Sequence, residues 1–491
     1  MSNCKTRHNS QIHMGPWKTL ENNSGWHPDS YRSWLVCAAS LLSVVVVSGI
    51  AFSYGLLLPS LMDAFEGTRQ ETAWIGTLYV GLSYLVAPLS AHINDRYSYR
   101  FAAILGSLLG IIGFIFASWS SDLWMMFLTF GLMSGIGHGL IFNTSVLVIL
   151  QHFVKWRSVA VGIVASGPAI GMFVFSQISR LLLNTFGWPG AMIGYAILYF
   201  VCGLCATMFV TLKTFKEDNS DINSHGIKRE ESKTSSPLRN RHFLIMFSSF
   251  VIIHFSYYVP TIHIAKYCVE ELAMSGESVS LLYTYMAVAS FISRHLFCKL
   301  GDFPYFNRFY LYQGGMTISG LCIISIPVAR SFVTILIPLM GFALMDGSLA
   351  GQQSLLVLEC VGHHNVNHAW GYIMLFAGIS ASVGPPSVGK LNLMLQLQAM
   401  DWKLSLFNSH HKQSTHFYLV HLWNDVFLIG LMADMLGSYT IPFYTAGVVL
   451  IVGASITSLM TCVNQQSEEI DAHIVQSEVE ELSVAEKITV L

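Results

Sequence analysis

Arg294 stands in "FISRHLF" (291–297), inside a run from Val279 to about Leu300 that otherwise reads as a membrane span. A guanidinium stays charged at physiological pH and presents a rigid planar fork of N–H donors that matches a carboxylate. A second ionisable residue, Asp346 of "GFALMDGSLAG", lies in another apolar run that begins near Phe332. At 1.5 Å per residue Arg294 falls about 22 Å along its helix, and Asp346 lies at nearly the same depth. A lone carboxylate there is costly, and an opposite charge at the same height is its simplest remedy. The two are therefore expected to pair on facing helices. Such a pair can recognise an organic acid: Arg294 receives the carboxylate bidentately and Asp346 positions it. Two plainer roles stay open, an arginine that snorkels to the nearby interface and a pair that only holds helices together.

Other polar residues on apolar runs could line the same path. Tyr54, Asn143 and Tyr283 are three of them, and Tyr257, Tyr258 and His263 are expected toward the outer half of their helix. Such groups give hydrogen bonds and an amphipathic lining for a small solute. His138 and His254 could relay protons. The sequence shows no metal-ligand cluster, no phosphate-cradling glycine loop and no nucleophile beside a base. No enzyme activity, no cofactor, no metal and no ATP-driven step are expected.

These residues need elements to hold them in a bilayer. Of the 491 residues, 53% are hydrophobic and only 11% charged, with a mean hydropathy of +0.53. A soluble chain is about 25% charged, so this one lacks the charge to cover a water-facing surface and reads as an integral membrane protein. A net charge of −2 argues against nucleic acid as a partner. Nine cysteines lie mostly in apolar stretches without paired spacing, which predicts no disulfide framework. The first 33 residues are polar and lack an apolar signal core, so no cleaved signal peptide is expected.

A bilayer core needs roughly 20 apolar residues per helix. Runs of that kind fall near 34–60, 73–92, 101–119, 123–149, 158–182, 189–212, 243–265, 279–300, 308–329, 332–357, 369–391 and 440–462. The expectation is an all-α membrane protein with twelve transmembrane helices in two six-helix bundles, 34–212 and 243–462. A polar linker, 213–242, joins them; a tail, 1–33, precedes them and an acidic tail, 463–491, follows. Lys and Arg gather in alternate loops, at Arg96 and Arg100, Lys155 and Arg157, Lys299 and Arg308, and in the linker. By the positive-inside rule those loops and both termini are cytoplasmic. Two bundles joined in this way fit carriers whose site lies at mid-membrane between them. "GSLLGIIG" (106–113), "GLMSGIGHG" (131–139) and "GIVASGPAIG" (162–171) place small residues at helical spacing, which lets helices approach closely in lipid. Gly167-Pro168 predicts a bend, because proline lacks the backbone donor.

Several motifs together resemble the monocarboxylate transporter family (solute carrier family 16 type) of the major facilitator superfamily. "SYGLLLPSLMDAF" (53–65) with "ETAWIGTL" (71–78) resembles the family's first helix and the start of its second. "HFVKWRSVAVGIVASGPAIG" (152–171), "FGWPGAMI" (186–193) and "YYVPTIHIAKY" (257–267) resemble its fifth, sixth and seventh. "SRHLFCKLGD" (293–302), "GPPSVGKL" (384–391) and "DMLGSYTIPFYTAG" (434–447) resemble its eighth, eleventh and twelfth. The loop "INDRYSYR" (93–100), with Asp95, Arg96 and Arg100, resembles the superfamily signature whose charges latch the outward-facing state; plain positive-inside anchoring is its other reading.

The resemblance implies a plasma-membrane transporter of small monocarboxylates in which Arg294 binds the substrate carboxylate, Gly384, Pro385 and Pro386 belong to a conformational motif, and a proton is a possible co-substrate. Some members need a single-span immunoglobulin-type chaperone. Two positions depart from the proton-coupled lactate and pyruvate carriers: Ser290 replaces their aspartate, and Phe52 stands in the place of their first-helix lysine. The acid at Asp346 is similar instead to branches that carry aromatic amino acids, thyroid hormones or other bulky substrates, often without a proton. A pH-independent facilitator of such substrates is therefore one alternative, and a transport-dead scaffold or sensor is another. The stretch 392–432 interrupts the family pattern and reads either as a real outer insertion or as translated intron sequence.

Overall fold

The computed structural model describes residues 28–67, 69–210, 237–303, 305–405 and 440–459. The expected linker and both tails fall mostly or wholly outside these residues, as does most of the expected insertion. Among the described residues every regular element is a helix. The first half holds α1 (Tyr31–Phe65), α2 (Arg69–Leu85), α3 (Ala87–Arg96), α4 (Tyr99–Ser118), α5 (Leu123–Met126), α6 (Ser134–His152), α7 (Arg157–Ala165) and α8 (Gly167–Ala206). The second holds α9 (Arg241–Tyr257), α10 (Val259–Glu270), α11 (Gly276–Leu300), α12 (Arg308–Ser325), α13 (Phe332–Asp346), α14 (Gln353–Ser405) and α15 (Thr440–Ile456).

Helix starts follow local chemistry. Ser98 caps α4 by accepting from the Phe101 N–H at 3.1 Å, and Asp122 caps α5 through Met125 at 3.1 Å. Asn240 and Asn307 do the same for α9 and α12, and Ser331 with Thr334 forms a capping box on α13. Each satisfies an N–H that the first turn leaves without a helical partner. Interior breaks fall at prolines, at glycines and at π-helical turns. α7 and α8 meet at Ser166, two residues before Pro168, at the bend expected from Gly167-Pro168. α9 and α10 meet at Tyr258, two residues before Pro260. Gly187 (φ +67°) and Gly362 (φ +70°) divide α8 and α14, in a backbone region that glycine alone adopts readily.

Seven of the described helical stretches are long and apolar enough to cross a bilayer, or eight if the bent pair Glu71–Leu85 and Ala87–Arg96 is one span. Apolar side chains such as Leu108, Leu181, Ile197 and Leu204 face outward on them, as a lipid solvent requires. Between helices, small residues permit contact. A Cβ on Gly137 would lie 2.5 Å from the Gly106 carbonyl, and one on Gly447 would lie 2.6 Å from that of Gly320. Each half therefore has a backbone-to-backbone crossing that any side chain would push apart.

Two sequence expectations change. The run 332–357 is not one uniform helix: α13 ends at Asp346, a π-helical stretch covers Gly347–Gly351, and α14 begins at Gln353. The eleventh apolar run does not end near 391 either, because α14 continues to Ser405 and takes in the first residues of the expected insertion. Those residues hold no proline or glycine that would stop a helix. Gly384, Pro385 and Pro386 lie within that helix.

Candidate functional site

Arg294 lies on α11, whose first turn is capped by Ser275. Its Nε stands 2.8 Å from Oδ2 of Asp346, the last residue of α13. The side chains are 15% and 7% exposed, so the pair is largely withdrawn from solvent. Ser290, one turn earlier on α11, donates its hydroxyl to the same Oδ2, and Tyr257 at the end of α9 donates to Oδ1. One carboxylate thus accepts from three donors on two helices. A buried ion pair is tolerated when its remaining lone pairs are satisfied in this way.

The close approach of α11 and α13 depends on the residue after Asp346. A Cβ on Gly347 would lie 2.2 Å from the Ser293 carbonyl oxygen and 2.6 Å from the Arg294 nitrogen. The Gly347 N–H donates to Ser293 Oγ at 2.9 Å, and that hydroxyl reaches the Ala343 carbonyl at 3.2 Å. The π-helical turn follows at once. Such turns leave backbone groups without their usual partner, which Ser293 supplies here.

Arg294 also reaches across the molecule. Its Nη1 donates to the carbonyl of Ala165 at 2.5 Å, and Ala165 is the last residue of α7 before the break ahead of Pro168. The guanidinium therefore bridges the two halves. Among the described residues it makes no further hydrogen bond, so one N–H of Nη1 and both of Nη2 remain. Those groups form an end-on fork of the kind a carboxylate accepts.

The other candidate residues divide into two sets. Tyr258 and Asn143 lie between the halves. The hydroxyls of Tyr258 and Tyr84 are 3.1 Å apart. Asn143 is fully buried, donates to the Ser83 and Gly139 carbonyls at 2.9 and 2.8 Å, and accepts from Trp370 Nε1 at 3.0 Å. Asn143 was expected to face an open path. Its three bonds instead make it a polar tie between α6 and α14. Tyr54 and Tyr283 do not reach the pair either: Tyr54 donates to the Thr72 carbonyl and packs on Phe130, and Tyr283 donates to the Thr261 carbonyl. His138 stacks on Tyr79 with ring centroids 4.8 Å apart inside the first half. His254 Nδ1 is held by the Phe250 carbonyl at 2.8 Å. Tyr257, placed by the sequence reading in an outer half, joins the arginine–aspartate pair. His263 is buried, and Phe52 is exposed on α1.

The loops richest in Lys and Arg gather at one end of the molecule, and there the halves are cross-linked. Asp95 accepts from Asn367 Nδ2 at 2.5 Å and lies 3.1 Å from His368 Nε2. Tyr99 donates to Asn367 Oδ1 at 2.9 Å. Ser158 donates to Asp302, and Arg308 binds Ser158, Asp302 and Glu359 at 2.8, 2.9 and 3.1 Å. Arg157 Nη2 donates to His363 Nε2 at 3.2 Å. Arg96 and Arg100, grouped with Asp95 in the sequence reading, are exposed, and Arg96 lies 6.0 Å over the Tyr97 ring. The expected cluster of three charges thus contributes only Asp95 to the junction. The sequence reading missed His363, Asn367 and His368, although "GHHNVNH" is an unusually polar stretch beside an apolar run.

This paired-half architecture has known counterparts. The sequence profile of the Major Facilitator Superfamily matches residues 40–385. The chain belongs to the Major Facilitator Superfamily. Human monocarboxylate transporter 10 is 23% identical over 449 residues, covering 89% of this chain and 79% of its own. Human monocarboxylate transporter 11 is 26% identical over 375 residues, covering 74% of this chain and 78% of its own. The crystal structure of the Major Facilitator Superfamily transporter FucP in the outward conformation superposes with a TM-score of 0.60 at 13% identity, covering 87% of this chain and 98% of that one. The family resemblance drawn from the motifs is thus met in sequence and in fold. The chain is a multi-pass membrane transporter of the major facilitator fold and not an enzyme.

Proposed function

We propose that this transporter carries small carboxylate-bearing solutes across the plasma membrane by alternating access, with Arg294 as the carboxylate receptor. The observation that supports this reading most is the half-used guanidinium of Arg294, held between the halves by Asp346 and the Ala165 carbonyl. On this reading Asp346 orients Arg294, while Ser290 and Tyr257 orient Asp346. The twelve spans comprise the seven apolar stretches, one of them divided at Gly187, and the bent pair, with α11, the part of α14 after Gly362, and α15 added. The cross-linked end is the cytoplasmic side, and the site opens outward when that end is closed.

A second reading is favoured by Ser290. The proton-coupled carriers of the resembling family have a carboxylate there, whereas this chain places a hydroxyl that donates to Asp346. With Asp346 already paired to Arg294, no second carboxylate bonds Arg294 among the described residues. Transport indifferent to pH is the expected behaviour, and bulkier aromatic substrates fit it as well as short acids do.

The test is uptake of labelled lactate, pyruvate, an aromatic amino acid, a thyroid hormone and creatine at two external pH values. Wild type is compared with Arg294→Lys and Arg294→Ala at matched surface abundance. Uptake of a carboxylate solute that falls at least tenfold in Arg294→Lys is expected, since a lysine keeps the charge and loses the fork. Undiminished uptake in both variants would overturn the assignment.

A further inference from the structure

Asp29 stands just ahead of α1 with φ +58°, a left-handed conformation that aspartate tolerates better than most residues. Its carboxylate does not serve α1, whose N-cap is Ser30. It reaches the loop between α6 and α7 and accepts from three successive backbone N–H groups. Oδ2 accepts from Lys155 at 2.9 Å, Oδ1 from Trp156 at 3.1 Å, and both oxygens from Val154 at 3.3 and 3.4 Å. The Asp29 N–H in turn donates to the His152 carbonyl at 3.1 Å. A carboxylate from the start of the described chain therefore fastens the loop that leads into α7, up to and including Trp156, the N-cap residue of that helix.

What α7 carries explains why this matters. Arg157 and Ser158 are its first two residues, and both bond the second half, at His363 and at the Asp302–Arg308 pair. Eight residues further on, the Ala165 carbonyl meets Arg294. Gly162 lies against Cys298 of α11: a Cβ there would be 3.4 Å from the thiol sulfur. The inner face of α7 is thus one contact surface between the halves at this end, and Asp29 fixes where that face begins. Backbone N–H groups converging on an anion make strong, charge-assisted bonds. An amide in the same place would keep one acceptor and turn an N–H donor toward the loop.

We propose that Asp29 is a positioning residue of the gate at this end: it fastens the 153–156 loop so that Arg157 and Ser158 meet their partners in the closed state. The proposal rests on the alternating-access reading. Its test uses Cys298, which is buried where α7 meets α11 and donates to the Gly351 carbonyl at 2.8 Å. Labelling of that thiol by a membrane-permeant maleimide, located by mass spectrometry in intact cells, reports opening of the junction. Asp29→Asn, nearly the same shape, is expected to raise the labelling rate roughly tenfold, the scale of one lost charge-assisted bond. Asp29→Glu should restore part of the closure. Arg157→Gln should open the junction likewise, and Asp29→Asn with Arg157→Gln should label little faster than Arg157→Gln alone, because both act through one contact. Unchanged labelling in Asp29→Asn, or rates that multiply in the double variant, would overturn the proposal. Labelling needs no substrate, so a wild type that takes up none of the solutes tested while Asp29→Asn still opens Cys298 would fail the transport reading and leave the clip standing.

Discussion

Replacing Asp346 with asparagine should destabilise the protein in a way that a second substitution repairs. In the wild type the carboxylate faces a guanidinium at 2.8 Å, with side-chain exposures of 7% and 15%. Asparagine fills the same space and still offers an oxygen to Ser290 or Tyr257. Arg294 then keeps its charge in a site with no counter-ion. Breaking one partner of a buried pair costs about 3–5 kcal/mol, most of it from the stranded charge, whereas removing both partners is often close to neutral. Exposure this low leaves little water to screen the remaining charge. The expected order of stability is wild type, then Asp346→Asn with Arg294→Gln close behind, then Asp346→Asn alone well below both. Unfolding of detergent-purified protein by SDS titration measures it, and the double-mutant cycle isolates the coupling between the two residues. A coupling below about 1 kcal/mol, the range of exposed pairs, would refute the view that the membrane interior isolates these charges.

Two further substitutions probe the same site. Gly347→Ala puts a methyl group 2.2 Å from the Ser293 carbonyl oxygen and should separate α11 from α13, at a cost of about 1–3 kcal/mol or more for overpacking. Reduced surface abundance and a lower Tm would register it, and a wild-type Tm would show that the crossing yields easily. Ser290→Asp places a second carboxylate one turn from Arg294, and two adjoining acids cannot both stay ionised beside one base. Uptake should then rise on acidifying the medium where the wild type is expected to be flat, and a flat profile in the variant would separate Ser290 from proton handling.

The fold was legible because its signals are compositional. Apolar runs of bilayer length and basic residues clustered in alternate loops need no tertiary information. Arg294 and Asp346 were legible for the opposite reason: each is a charge where lipid forbids one without a partner. Tyr257 was flagged as a polar residue near a path and Ser290 as a departure from the proton-coupled pattern, but nothing local could say that both would bond the same carboxylate. Their convergence depends on three helices meeting, and on a glycine after Asp346 that allows α11 to come near. Asn143 was misread because an amide in an apolar run looks the same whether it faces a solute or a neighbouring indole. The junction of Arg157, Ser158, Asp302, Arg308, Glu359 and His363 was illegible as a unit because its members lie up to 206 residues apart. Asp29 escaped notice because a single acid before a helix reads as that helix's own cap.

The bond from Arg294 to the Ala165 carbonyl bears on how the carrier resets. A carrier whose binding charge is left bare after release resists closing, and it recloses readily only around a fresh passenger, so it exchanges one load for another. Here the other half of the protein offers the arginine an oxygen of its own, at Ala165. On the proposed reading of Arg294 as the carboxylate receptor, that carbonyl would stand in for cargo on the empty return. Net, one-way movement down a gradient is then expected, with efflux into solute-free medium as fast as efflux against a loaded one as its signature.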